Sequence, residues 1–218
     1  MRTSGDERAT VQAIRNTAAE LFTTKGYTAT TTREIALRVG IKQASLYYYF
    51  PTKQAILESL MLDTVAAPLT AIAHLESADC SPAVRLHAAA SCDMSQLLVE
   101  RWNLGALYML PEIRNLPDFA SFFALNARLR QKYRQMCAAA RAAAGLSLDP
   151  TRLSLPYRLV ETVIRMRADS EDVDIVLIAD AVLRTLELDD LSDAERLLSA
   201  DLARAALAAA TTATPHRP

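Results

Sequence analysis

Apolar residues recur at spacings of three and four through most of the 218-residue chain, the period of a one-sided helix. Val11, Ile14, Ala18, Leu21 and Phe22 make the first such stripe and predict a helix over 6–25. Gly26 follows where a left-handed C′ residue belongs, and Tyr27 is placed to fold back onto the stripe. Thr31, with Glu34 three residues on, reads as a capping box. It opens a short second helix whose inner side is Ile35, Ala36 and Val39, ended by Gly40. A third short helix is expected over 42–49. There Leu46 and Phe50 turn inward and leave Gln43, Ser45, Tyr47 and Tyr48 pointing elsewhere. Pro51 stops that helix, because the residue before a proline disfavours the helical region. Thr52 then caps a fourth helix carrying Ile56, Leu57 and Leu60.

The pattern continues helical to the end. Pro68 is expected to kink the fourth helix. Residues 77–81 read as a loop, and Pro82 suits the first turn of a fifth helix reaching about Arg101. Pro111 and Pro117 bracket a further loop. A long helix is expected over 118–144, with Phe122, Leu129, Tyr133, Met136 and Ala140 inward and Gly145 as its stop. Ser154 is read as the cap of a helix through Pro156, Leu159, Val163 and Met166. Ser170, Glu171 and Asp172 are read as opening the next, with acidic residues at the positive end of the helix dipole. Its body, VDIVLIADAVL, is apolar on almost every side and must be buried on several sides. A buried strand is the competing reading, but no other strand exists to pair with it. A last helix spans 192–210, and the tail TTATPHRP is expected to be disordered. The fold class is therefore all-α.

Composition narrows the function. Hydrophobic residues make up 51% and charged residues 22%, as in soluble globular proteins. The five glycines fit neither G-x-G-x-x-G nor G-x-x-x-x-G-K, so the common phosphate-cradling loops are absent. Cys80, Cys92 and Cys137 form no C-x-x-C, and His74, His87 and His216 have no metal-ligand spacing, so neither disulfides nor a metal are expected. No cofactor is expected. The polar N-terminus and the lack of a run of about 18 apolar residues point to a cytoplasmic protein without a membrane span. Asp93 and Glu100 share a helix face, but no base or nucleophile accompanies them, and no G-x-S-x-G or H-E-x-x-H is present. The expectation is a protein that is not an enzyme. A helical enzyme or sequestering protein with a small-molecule cavity is the alternative.

Charge is unevenly placed. The whole chain carries a net charge of -1. Residues 1–53 hold eight basic and four acidic residues, whereas the remainder holds sixteen basic and twenty-one acidic. A basic head on an acidic body suits a protein that meets phosphates at one end. The two short helices joined by Arg38-Val39-Gly40-Ile41 form a helix-turn-helix. The first helix covers their apolar side and leaves the third free to enter a major groove.

At these residues the chain resembles the TetR-type transcriptional regulators. The resemblance rests on Ile14, Ala18, Leu21 and Phe22, Gly26-Tyr27, Thr30-Thr31, Ile35-Ala36, Gly40-Ile41, Leu46-Tyr47, Phe50 and Lys53, within the first quarter of the chain. It implies a DNA-binding domain over 1–53 and an effector-binding and dimerisation domain over 54–218. It implies contacts to double-stranded DNA through Thr31, Thr32, Arg33, Lys42, Gln43, Ala44, Ser45, Tyr47, Tyr48, Tyr49 and Lys53. Thr31 would offer a phosphate its hydroxyl and the nearby N–H groups, and Tyr47 and Lys53 would grip the backbone. Gln43 would read a base, since a carboxamide bonds adenine at two points. Lys42 departs from the family, which commonly has a small hydroxyl cap there. The resemblance further implies a repressor, homodimeric on a palindromic operator and released by a small-molecule effector. Trp102, Asn103, Tyr108, Met109, Glu112, Phe119, Phe122, Phe123 and Tyr133 are the expected effector residues, being mostly aromatic with a few polar groups.

Overall fold

The computed structural model describes residues 4–108, 110, 113 and 119–213, and among them there are ten helices and no strand. They are α1 (Ser4–Thr24), α2 (Thr32–Val39), α3 (Gln43–Tyr49), α4 (Lys53–Glu76), α5 (Pro82–Val99), α6 (Gly105–Tyr108), α7 (Ala120–Ala143), α8 (Pro150–Ala168), α9 (Ile175–Thr185) and α10 (Asp193–Ala213). The chain forms two compact units. One is Met1–Thr64 with Arg101–Phe122, and the other is Val65–Glu100 with Phe123–Pro218.

The first unit is built as the sequence pattern requires. Ile14, Ala18, Phe22, Ile35, Leu46, Ile56 and Leu57 are fully buried or nearly so. Gly26 has φ +94°, a conformation that costs a Cβ-bearing residue strain. The turn it makes returns Tyr27 to Phe22, edge to face at 5.2 Å between ring centres. The unit extends past residue 53 because the start of α4 belongs to its core, and an Arg15–Asp63 ion pair ties α1 to α4. By length and hydropathy α4 could cross a membrane, but half of that window is buried. Its apolar residues Ile56, Leu57, Met61, Ile72 and Leu75 are core. Pro68 lies inside α4 rather than at its end.

The second unit is arranged around α5, which packs against α8, α9 and α10. Ser81 caps α5, accepting a hydrogen bond from the Val84 N–H at 3.3 Å, with Pro82 in the first turn. All five residues of the expected α7 stripe are buried, and Gly145 follows that helix at φ +70°.

Three boundaries differ from expectation. α8 begins at Pro150 with Asp149 as its cap (Thr151 N–H to Oδ1, 2.8 Å), so Ser154 is not the cap and Pro156 is interior. An Asp-Pro pair supplies both the cap and a first-turn proline, which outweighs a lone serine. α9 begins at Ile175, capped by Asp174. Ser170, with φ +59°, belongs to the turn that ends α8. Residues 214–218 of the expected disordered tail lie outside the described residues, whereas Thr211 to Ala213 continue α10. Its start is a complete capping box: Ser192 N–H donates to Glu195 Oε2 at 2.9 Å, and Glu195 N–H returns to Ser192 Oγ at 3.4 Å.

Arg141 shows how the C-terminal unit is closed. It is 2% exposed, and its guanidinium donates to the carbonyls of Ser147 (2.7 Å) and Leu186 (2.5 Å) and to Glu187. Truncation strands two acceptors at once. Arg141→Ala is expected to lower unfolding stability by about 3 kcal/mol, read from the urea midpoint. A loss within the ±0.5 kcal/mol or so typical of surface changes would show that the carbonyls find water instead.

Candidate nucleic-acid interface

The turn between the short helices is set by two caps. Thr31, in extended conformation, accepts from the Glu34 N–H at 3.2 Å. The Glu34 carboxylate does not complete the box but pairs with Lys25 at 2.6 Å. Gly40 closes α2 at φ +79°, and its backbone N–H bonds back into that helix. Lys42 is the N-cap of α3 and makes no side-chain capping bond, as expected of a lysine where a hydroxyl would serve.

With Leu46 and Phe50 buried, α3 presents the other side outward. Lys42, Gln43, Ala44, Tyr47 and Tyr48 are exposed, and Ser45 and Tyr49 are half-buried. Tyr48 is 75% exposed and stands edge to face on Tyr49 at 5.0 Å. Across the turn, Thr31 and Arg33 are exposed and Thr32 is half-buried.

A hydrogen-bonded triad joins α2 to α3. Gln43 Nε2 donates to Thr32 Oγ1 (3.1 Å) and to Tyr47 OH (3.3 Å), and Thr32 Oγ1 lies 3.0 Å from the phenol. Hydrogen bonding to Thr32 and Gln43 lowers the Tyr47 pKa from its ordinary value. Either hydroxyl of the Thr32–Tyr47 pair can be the donor, and the exposed phenol is placed to turn its proton to an outside acceptor. Gln43 in turn keeps its carbonyl oxygen free, since only its amide nitrogen is engaged.

Lys53, expected to grip the DNA backbone, is already engaged within the protein. Its ammonium donates to the carbonyls of Tyr27 (2.7 Å) and Thr30 (2.8 Å) and lies 4.2 Å from the Tyr27 ring centre. Partial burial lowers its pKa. Two of its three protons hold the turn before α2, so Lys53 fixes where Thr31 and Thr32 stand. The head's positive charge is also redistributed. Lys25 and Arg38 pair with Glu34 and Glu20, and Arg15 pairs with Asp63. Arg33 and Lys42 have no ion-pair partner among the described residues, so the unneutralised charge faces outward from the helix-turn-helix.

The expected effector residues are spread over both units. Trp102 and Asn103 are half-buried after α5, with the Arg101 guanidinium 4.8 Å from the Trp102 ring centre. Tyr108 ends α6, and Phe119 and Phe122 are fully buried. All five belong to the first unit. Phe123, half-buried, and Tyr133, fully buried, belong to the second. Met109 and Glu112 lie outside the described residues.

Two buried polar clusters in the second unit escaped the sequence reading. Tyr133 OH donates to Asp93 Oδ2 at 2.9 Å, and Asn126 Nδ2 donates to Tyr157 OH at 3.1 Å, the two tyrosines meeting edge to face at 5.4 Å. Burial pushes the Asp93 carboxyl up to about 7. The Tyr133 bond opposes this, and the charge of Glu161 adds to it. In the second cluster His87 Nδ1 lies 2.8 Å from Ser199 Oγ, and His87 Nε2 lies 3.2 Å from Asp180. Desolvation lowers the His87 pKa, and Arg196 pairs with Asp180. The imidazole is thus a neutral cross-link between α5, α9 and α10, with the carboxylate beside it already neutralised. The available signal was the spacing of His87, Asp93 and Gln96 along α5, three polar residues at core positions.

Comparison with known proteins follows the same division. Residues 14–60 match the family of bacterial regulatory proteins named tetR. The biofilm operon icaADBC negative transcriptional regulator IcaR of Staphylococcus aureus is 51% identical over 45 residues, 21% of this chain and 24% of that protein. The match therefore spans about a quarter of IcaR. The crystal structure of Mycobacterium smegmatis AmtR is similar throughout, at 42% identity over 100% of this chain and 97% of that one, with a TM-score of 0.74. Bacillus subtilis FadR, solved in complex with stearoyl-CoA, shares the fold at 18% identity, covering 80% of this chain and 96% of its own, with a TM-score of 0.64.

Proposed function

Because the chain belongs to the TetR family of transcriptional regulators, we propose that it represses its target as a homodimer on a palindromic operator and is released by a small-molecule effector. The observation that carries this reading is the α3 surface. Lys42, Gln43, Tyr47 and Tyr48 are exposed together beside the N-terminus of α2, where a phosphate is favoured. In this reading Lys42, Tyr47, Thr31, Thr32 and Arg33 position the backbone. Gln43, Ala44 and Ser45 meet base edges, Tyr48 and Tyr49 reach phosphate or thymine methyls, and Lys53 holds the turn. The negative regulator IcaR, 51% identical over 45 residues, supports repression. FadR, solved in complex with stearoyl-CoA on the same fold, supports a small-molecule effector.

The dimer is proposed from the outer faces of α8 and α9. Leu155, Val176 and Leu177 are 40%, 54% and 58% exposed although α9 is strongly apolar. A second copy placed against them would bury that face in a four-helix bundle. Such a dimer carries two copies of α3, as a palindromic operator with half-sites about one helical turn apart requires.

Lys42 tests the interface. Lys42→Ser supplies the missing cap, worth about 1 kcal/mol to α3, while removing a phosphate contact. Operator affinity is expected to fall at low salt, with the slope of log affinity against log salt reduced by about 1. Fluorescence anisotropy over a salt series measures both. Unchanged affinity and slope would remove Lys42 from the interface.

A further inference from the structure

The acidic C-terminal body contains a strongly basic exception. Residues 120–168 hold nine of its sixteen basic residues and two of its twenty-one acidic ones, and α7 has no Asp or Glu at all. Most of these charges are satisfied. Lys132 pairs with Glu76, Arg141 and Arg152 with Glu187, and Arg165 with Asp169. Arg130 and Arg134 pair with no carboxylate among the described residues. They lie one helical turn apart on α7, a like-charge spacing that disfavours the helix unless something offsets it.

Both line one groove of about 440 Å³ between α7 and α8, together with Gln131, Ser154, Tyr157 and Arg158. Tyr157 is 6% exposed, so the groove reaches down to the core of the unit. Arg158 lines the same groove from α8 and pairs with Glu161 at 2.7 Å. Three guanidiniums and an amide thus line one concave surface of ligand size. Guanidinium forks match phosphate and carboxylate oxygens two at a time.

We propose that the α7–α8 groove binds a small polyanion, a molecule carrying two or more phosphate or carboxylate groups, through Arg130, Arg134 and Arg158. The bound charge relieves the repulsion between the α7 arginines. Occupancy stabilises the folded unit by mass action. The groove is lined by none of the residues expected to meet the effector, though its Tyr157 packs on one of them, Tyr133, and the proposal stands whether or not the repressor reading does.

Isothermal titration of the full chain in dilute buffer free of phosphate tests this with three probes: inorganic pyrophosphate, ATP and citrate. Binding in the micromolar range is expected for at least one. A preference for pyrophosphate and ATP over citrate assigns phosphate as the recognised group, and the reverse assigns carboxylate. The double variant R130Q/R134Q, changed at a groove edge, is expected to keep its circular dichroism and bind about tenfold or more weakly. Absence of heat with all three probes overturns the proposal. So does a variant that binds them as tightly as the parent. A variant that binds the probes normally but loses DNA affinity would give the arginines to DNA instead.

Discussion

Asp93→Asn is expected to flatten the pH dependence of folding stability and to leave the variant the more stable protein in mild alkali. The reason is the burial of a carboxyl whose pKa is raised to about 7 in the fold, against about 3.9 in an unfolded chain. Between those values the unfolded chain releases a proton that the folded chain keeps. The unfolded state then binds fewer protons, so stability falls as pH rises. The protonated carboxyl's advantage is complete below about pH 4, declines through the window, and is gone above about pH 7. Three units correspond to about 4 kcal/mol. Asparagine keeps an oxygen for the Tyr133 hydroxyl and has no proton to lose. Urea denaturation of both proteins from about pH 4 to pH 8 should show the wild type losing about 4 kcal/mol relative to the variant. Parallel curves would mean that Asp93 ionises freely in the fold.

The second large effect concerns the triad of Thr32, Gln43 and Tyr47. In the free protein Gln43 Nε2 serves two hydroxyl acceptors. To bond adenine at two points it must turn that nitrogen to N7 while its oxygen accepts from N6. Thr32 and Tyr47 bond to each other at 3.0 Å, so they remain linked when Gln43 leaves. Tyr47, being exposed, can turn its own proton to a phosphate. Base recognition and backbone grip are therefore drawn from one set of bonds. Gln43→Ala removes the first and Tyr47→Phe the second. Together they are expected to weaken operator binding by about 100-fold, since each contact is worth about 1–3 kcal/mol. Gln43→Ala alone should relax preference at one base pair, whereas Tyr47→Phe should weaken all sequences alike. Competition binding against single-base operator variants separates the two. Equal effects on every sequence from both changes would deny Gln43 a base.

The same residues show what the sequence made legible. Gly26, Thr31, Gly40, Pro51 and Thr52 are local punctuation, each acting on its own neighbours, so the helix-turn-helix and its core were readable residue by residue. The C-terminal boundaries failed where two local signals competed. Ser154 and Ser170 looked like caps, but Asp149 and Asp174 had stronger neighbours in Pro150 and the apolar run from Ile175. Long-range chemistry left the weakest trace. His87 meets Asp180 and Ser199 only because α9 and α10 both fold onto α5, and Asp93 gains its raised pKa from a burial that exists only in the folded unit. Lys53 was expected to contact DNA from the family resemblance alone. Its bonds to Tyr27 and Thr30 depend on a turn 23 or more residues earlier. Arg130 and Arg134 were visible as charge, yet nothing in the sequence told that α8 would stand opposite them.

The proposed regulator acts on DNA only if α3 enters a major groove. Footprinting of the purified protein on the DNA flanking its own gene, repeated from dilute to physiological salt, tests that most directly. The expected result is protection of two related half-sites about one helical turn apart, weakening steeply as salt rises. Protection of no segment at any salt, or a uniform shield indifferent to sequence, would contradict it.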